Sequence, residues 1–108
     1  MKETKLFPAL RSALRRLWMR SSFRSNAVLA ARIEVEGCRH RYEVPCAKCK
    51  KMLRMNEVRV DHIEMAGSLT SFSDIEGFVR RLFVGVEGLQ CLCDTCHKIK
   101  TKEERRKK

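Results

Sequence analysis

Residues 89–101 read LQCLCDTCHKIKT, and this segment limits the possible folds of the chain more than any other. The residue pattern from Leu89 to Leu92 is typical of a short strand. The Cys93-x-x-Cys96 pair follows at once, and Asp94 or Thr95 can begin a helix that runs into the lysine-rich end. The segment therefore predicts a strand, a metal-binding turn and a helix in direct succession.

A second Cys-x-x-Cys pair, Cys46 and Cys49, precedes this segment. Two such pairs separated by a small module predict a tetrahedral zinc site of four thiolates, which is structural because it leaves no position for water. The alternative is four buried free cysteines. Cys91 and Cys93 alternate on a strand, so only one can face the metal, and we choose Cys93 because it completes the spacing. Cys38 and His40 are interpreted as a small apolar thiol and an exposed histidine.

Residues 57–63, EVRVDHI, alternate as a strand does, and we expect them to be the return strand of a hairpin that starts at the first cysteine pair. Asp61 and His62 then point to opposite faces, unless the strand ends there and both reach one site. The Asp61 carboxylate and the His97 imidazole are suitable ligands for Mg²⁺ or a transition metal. Neutral His62 can accept a proton from water, so the three residues have the chemistry for phosphodiester hydrolysis.

The remaining pattern predicts helices. Pro8 can occupy a first helical turn, and apolar residues recur at helical spacing over 8–20, with Arg11, Arg15 and Arg16 on the opposite face. A second helix is expected from Ser25 or Asn26 to near Gly37, and a third from Asp74 through Phe83. We expect the first two to form a basic helical hairpin ahead of the cysteine region.

The formal net charge of +11 over 108 residues indicates a polyanionic partner. The basic residues concentrate before the first cysteine and at the end of the chain, where Lys98 and Lys100 join the arginines as candidates for phosphate contacts. Six cysteines could also indicate a secreted disulfide protein. Residues 1–5 lead into no apolar run, however, and no segment has the roughly 18 apolar residues of a membrane span. We therefore expect reduced cysteines and a soluble intracellular protein without membrane contact.

The order and spacing of residues 60–63, 89–90, 92–97 and 100–103 resemble the HNH endonucleases that carry a four-cysteine zinc site, and small HNH proteins of tailed bacteriophages in particular. The resemblance implies an α+β fold with a ββα-metal core over 42–103, preceded by the helical extension 1–41 and followed by the basic tail 104–108. It implies that His62 is the general base, that Asp61 and His97 bind catalytic Mg²⁺ or Mn²⁺, and that the four cysteines bind structural Zn²⁺. It further implies cleavage of duplex DNA to 5′-phosphate and 3′-hydroxyl ends, other phage proteins as further partners, and the host cytoplasm as the location.

The chain departs from the HNH pattern at Gly88, where the family usually has an asparagine that orients the general base. We expect this role to pass to Glu87, Gln90 or a hydroxyl group, and the sequence does not choose among them. The hydroxyl candidates are Ser68, Thr70 and Ser71. The departure keeps open a second interpretation, a catalytically inactive zinc-stabilised module that binds DNA or another protein. Size and charge alone also allow a zinc-ribbon component of a viral or ribosomal assembly.

Overall fold

The structure, a computed structural model, describes residues 2–37 and 41–106. Within them the chain is α+β, as expected, with four α-helices and two small antiparallel sheets. None of these helices combines the length and the apolar character that a membrane crossing requires. The helices are α1 (Glu3–Met19), α2 (Ser22–Ala31), α3 (Ile75–Leu82) and α4 (Asp94–Arg106). The strands are β1 (Ile33–Glu34), β2 (Tyr42–Pro45), β3 (Met52–Arg54), β4 (Arg59–His62) and β5 (Leu89–Leu92).

Helix α1 begins before the predicted position, so the expectation that Pro8 occupies its first turn is wrong. Pro8 lies inside the helix, where it has no N–H to donate to the preceding turn. The neighbouring Phe7 is 4% exposed and makes an edge-to-face contact with Phe72 at 5.0 Å between ring centroids. The free energy of this packing offsets the cost of the missing hydrogen bond. Burial of Phe7 thus holds the first turns of α1 against the body of the protein.

The predicted extension of the second helix to Gly37 is also wrong, since α2 ends at Ala31. Arg32 adopts extended backbone angles while its N–H still bonds the Val28 carbonyl. The chain then pairs as a strand, with Ile33 opposite Glu43. A β-branched residue such as Ile33 suits this extended pairing better than a helix end.

The strand over 57–63 forms at Arg59–His62, but its expected hairpin partner is wrong. Strands β1, β2 and β3 form one sheet in that order, whereas β4 pairs with β5 in a second sheet. In that second sheet Asp61 lies opposite Gln90 and His62 opposite Leu89. Residues distant in sequence are thereby placed side by side directly before α4.

The buried side chains form one hydrophobic cluster to which both sheets and the first three helices contribute. Phe78, Leu82 and Leu92 are fully buried at its centre. Trp18 of α1 and Val28 of α2 belong to the same cluster. The two N-terminal helices therefore share the core of the cysteine region, and the domain boundary expected at residue 41 stays a prediction.

Candidate metal centre and active-site cavity

The four cysteines of the two pairs come together in space. The sulfur atoms of Cys46, Cys49, Cys93 and Cys96 all lie within 4.8 Å of one another. The Cys49 and Cys93 sulfurs are 3.8 Å apart, which is about the edge of a tetrahedron whose Zn–S arms are about 2.3 Å. The predicted clustering of these four residues is therefore confirmed, and the cluster could bind a structural metal such as zinc.

Backbone amides donate hydrogen bonds to the cysteine sulfurs, and such bonds favour the thiolate form that a cation binds. The Cys93 N–H donates to the Cys46 sulfur and the Cys96 N–H donates to the Cys93 sulfur, each at 3.4 Å. Burial acts to raise the pKa of Cys46, but hydrogen bonds to Cys49, Cys93 and Lys48 outweigh it and lower that pKa to about 6. The pKa of Cys96 is raised to about 12, first by its hydrogen bond with Cys93. Without an ion, the cluster therefore retains protons that a bound metal would displace.

The choice of Cys93 over Cys91 is confirmed. Cys91 is buried on the other side of β5, where its sulfur is 3.7 Å from the Ala27 carbonyl oxygen. This burial raises the pKa of Cys91, so it stays a neutral thiol in the core. Cys38 and His40 lie outside the described residues.

Asp61, His62 and His97 line one cavity of about 420 Å³, which we call the Asp61 cavity. Asp61 and His62 both reach it because β4 ends at His62. His97 is placed by α4, in which its N–H donates to the Cys93 carbonyl at 2.9 Å. The catalytic roles of these three residues stay predictions, but all three line the same cavity. Its other lining residues are Arg11, Arg15, Met65, Ala66, Gly67, Thr101, Glu104 and Arg105.

Backbone and ring contacts orient His62. Its Nε2 atom lies 2.8 Å from the Leu82 carbonyl oxygen, and its ring centroid is 4.5 Å from that of Trp18. A carbonyl oxygen only accepts, so this bond assigns the proton to Nε2 and leaves the lone pair of a neutral ring on Nδ1. Sequence reasoning missed both Leu82 and Trp18, because a backbone carbonyl and a core tryptophan carry no motif.

Asp61 is held through one of its two oxygens. Its Oδ2 atom accepts from Lys100 Nζ at 2.8 Å and from Gln90 Nε2 at 3.1 Å. Among the described residues, neither its Oδ1 atom nor the His97 ring has a hydrogen-bond partner. A carboxylate oxygen and an imidazole nitrogen at one cavity are chemically suited to a divalent ion. These two residues fit the predicted ligand pair in donor chemistry.

Lys100 is mostly buried and ion-paired, whereas a residue that contacts phosphate is expected to be exposed. Its side chain is only 18% exposed, and Nζ also donates to the His62 carbonyl at 2.9 Å and pairs with Glu104 at 3.3 Å. Burial acts to lower the pKa of Lys100, but the hydrogen bond and charge of Asp61 outweigh it and raise that pKa. The ammonium therefore connects α4 to the end of β4, and its predicted nucleic-acid contact stays a prediction.

Gly88 lies where a side chain would collide with the protein. A Cβ atom there would be 2.5 and 2.7 Å from the two methyl groups of Val84. The Gly88 carbonyl accepts from the Ile63 N–H at 3.0 Å, directly after β4. Of the groups expected to replace the missing asparagine, Gln90 reaches Asp61, while Thr70 and Ser71 bond to Asp74 instead.

The other predicted phosphate contacts fall into separate groups. Arg11 and Arg15 line the Asp61 cavity, and Arg16, which is exposed, does not. Lys98 lines an adjoining cavity of about 410 Å³ and pairs with Asp94 at 3.0 Å. Comparison of the chain with family models, with curated proteins and with solved structures finds no match.

Proposed function

We propose that the protein is a metal-dependent HNH-type endonuclease that hydrolyses phosphodiester bonds of duplex DNA. The observation that carries this proposal is the presence of Asp61, His62 and His97 in a cavity that also contains Arg11 and Arg15. An acid, two imidazoles and cations around one space match the chemical demands of an anionic phosphodiester.

The surrounding elements support the proposal. Strands β4 and β5 are antiparallel neighbours, and α4 follows β5 directly. This strand–strand–helix order is the arrangement that the HNH resemblance implies. The four cysteines tie the start of α4 to the turn between β2 and β3, so a bound zinc ion would fix His97 relative to the strands.

His62 serves as the general base in this mechanism. The bond between Nε2–H and the Leu82 carbonyl leaves Nδ1 to take a proton from a water molecule. The water oxygen forms a bond to phosphorus, the bond from phosphorus to the 3′ oxygen breaks, and the 3′ oxygen takes a proton from solvent. The products carry a 5′-phosphate and a 3′-hydroxyl group.

Asp61 and His97 are the proposed ligands of the divalent ion. Mg²⁺ or Mn²⁺ bound there would neutralise charge that develops on the phosphate. Lys100 and Gln90 hold Asp61 Oδ2 and thereby direct Oδ1 away from the ion pair. The carboxylate is thus positioned by the protein before any ion binds.

A second candidate function is an inactive zinc-stabilised DNA-binding or interaction module. The Lys100–Asp61 ion pair of 2.8 Å favours it, because an ammonium already neutralises the proposed metal ligand. The two candidate functions differ in whether a divalent ion can bind Asp61 and support hydrolysis while Lys100 is paired with that carboxylate.

Plasmid nicking with Mg²⁺ or Mn²⁺ tests the proposal. We expect wild-type activity, and we expect His62→Ala to reduce it at least about 100-fold because the proton acceptor is lost. Zinc content and circular dichroism of His62→Ala should match wild type. A wild-type protein that binds DNA but nicks none with either ion would favour the inactive module instead.

A further inference from the structure

The cations that line the Asp61 cavity differ in what they already bind. Arg11 donates to the Gly67 carbonyl at 2.8 Å and lies 5.1 Å from the Phe78 ring centroid, so it holds α1 against the protein. Arg15, one helical turn further along α1, makes no hydrogen bond and no ion pair with any described residue. Its guanidinium is available to a ligand in the cavity.

The surroundings of Arg15 favour an incoming anion. The pKa of Arg15 is lowered, first by partial burial and then by the positive charge of Arg11, against an opposing effect of Glu104. The Glu104 carboxylate is itself paired with Lys100 at 3.3 Å. An anion bound beside Arg15 would therefore add to the partial compensation that Glu104 provides for the repulsion between Arg11 and Arg15.

We infer that Arg15 is a catalytic residue that binds the scissile phosphate of DNA in the Asp61 cavity. This inference rests on the proposed function and adds to it a residue from α1, outside the strand–strand–helix segment. The planar guanidinium can donate two parallel hydrogen bonds to the non-bridging oxygens and stabilise the charge they gain as water attacks.

Arg105 has a different place in this arrangement. It also makes no ion pair with a described residue, but it lines both the Asp61 cavity and the adjoining cavity that Lys98 and Lys102 border. It lies in the last turn of α4. We assign it to a flanking phosphate, which leaves Arg15 for the phosphate beside His62.

The neighbouring arginine provides a matched control. Arg15→Gln and Arg16→Gln remove the same charge from adjacent positions of α1, and only Arg15 lines the cavity. Single-turnover nicking with Mn²⁺ at saturating protein is expected to be about 100-fold slower in Arg15→Gln, because one transition-state donor is lost. Arg16→Gln should keep the wild-type rate at saturating protein, because Arg16 lies outside the cavity.

Equal nicking rates for the two variants would overturn the assignment of Arg15 and leave the nuclease proposal intact. A wild-type protein that nicks no DNA would overturn both. If Arg15→Gln does not fold, Arg15→Lys decides: it should nick more slowly than wild type, since an ammonium lacks the two-pronged guanidinium geometry. An unchanged rate in Arg15→Lys would contradict the inference.

Discussion

Single residues around the Asp61 cavity are held mainly by backbone groups and by each other. His62 bonds the Leu82 carbonyl and contacts the Trp18 ring, and Asp61 bonds Lys100 and Gln90. The groups that hold His62 and Asp61 therefore come from distant parts of the chain. The Gly88 carbonyl accepts a hydrogen bond from the Ile63 N–H, and the absence of a Cβ atom at Gly88 leaves space for the Val84 side chain.

The contact between residues 88 and 84 predicts a specific stability change. Gly88→Ala should lower the free energy of unfolding by about 1–3 kcal/mol, because its Cβ would lie 2.5 Å from a Val84 methyl group. Urea unfolding of Gly88→Ala measures this loss. In a Val84→Ala background the same change should cost much less, since the colliding methyl groups are gone. Additive effects of the two substitutions would contradict the predicted collision.

At the scale of elements, the cysteine cluster joins parts of the chain that share few other contacts. Cys46 and Cys49 lie on the turn between β2 and β3, while Cys93 and Cys96 lie at the start of α4. Lys50 completes that turn with a positive φ of 66°, and its N–H bonds the Cys46 carbonyl. A metal bound there would fix α4, and with it His97 and Lys100, relative to both sheets.

This arrangement predicts different outcomes for two cysteine substitutions. Cys49→Ser should lose bound zinc and several kcal/mol of stability, because the energy of metal binding contributes to folding. Cys91→Ala is the matched control, since Cys91 lies in the core outside the cluster. It should keep one zinc ion and lose only about 1 kcal/mol as a small core truncation. Metal analysis and thermal unfolding measure both effects, and full zinc content with wild-type stability in Cys49→Ser would contradict the structural role.

At the scale of the whole molecule, the effect of the net charge of +11 on a ligand depends on where the basic residues lie. The Asp61 cavity and the adjoining cavity share His97, Thr101 and Arg105, so they form one continuous basic surface. Lys102 belongs to this surface, whereas Lys48 and Lys51 are exposed near the cysteine turn and line neither cavity. A DNA backbone that follows the shared surface would pass the proposed catalytic residues.

Salt dependence of DNA binding tests this surface. The double variant Lys102→Gln/Arg105→Gln should reduce the slope of log K against log salt by about 2, since each lost phosphate contact removes about 0.9. Lys48→Gln/Lys51→Gln removes the same charge and should leave the slope nearly unchanged. Fluorescence anisotropy with a DNA duplex over a range of NaCl concentrations measures both slopes. An equal reduction in the two variants would indicate that only overall charge matters.

Local spacing in the sequence was enough to predict the cysteine cluster and the beginning of α4. The two Cys-x-x-Cys pairs specify a tight turn and its ligands within a few residues, and alternation along 89–93 separates Cys93 from Cys91. These features depend on neighbours in the chain, so they are visible before folding.

Features that depend on distant contacts were decided only by the tertiary structure. Burial of Phe7 lets α1 continue through Pro8, pairing with β2 turns residues 33–34 into a strand, and β4 finds its partner in β5. The carbonyl of Leu82, the ion pair of Lys100 with Asp61 and the placement of Arg15 at the cavity have the same origin. Most of these contacts join groups far apart in the chain. The free energy that selects them comes from burial, hydrogen bonds and ion pairs that form only in the folded protein, and local sequence patterns do not encode these.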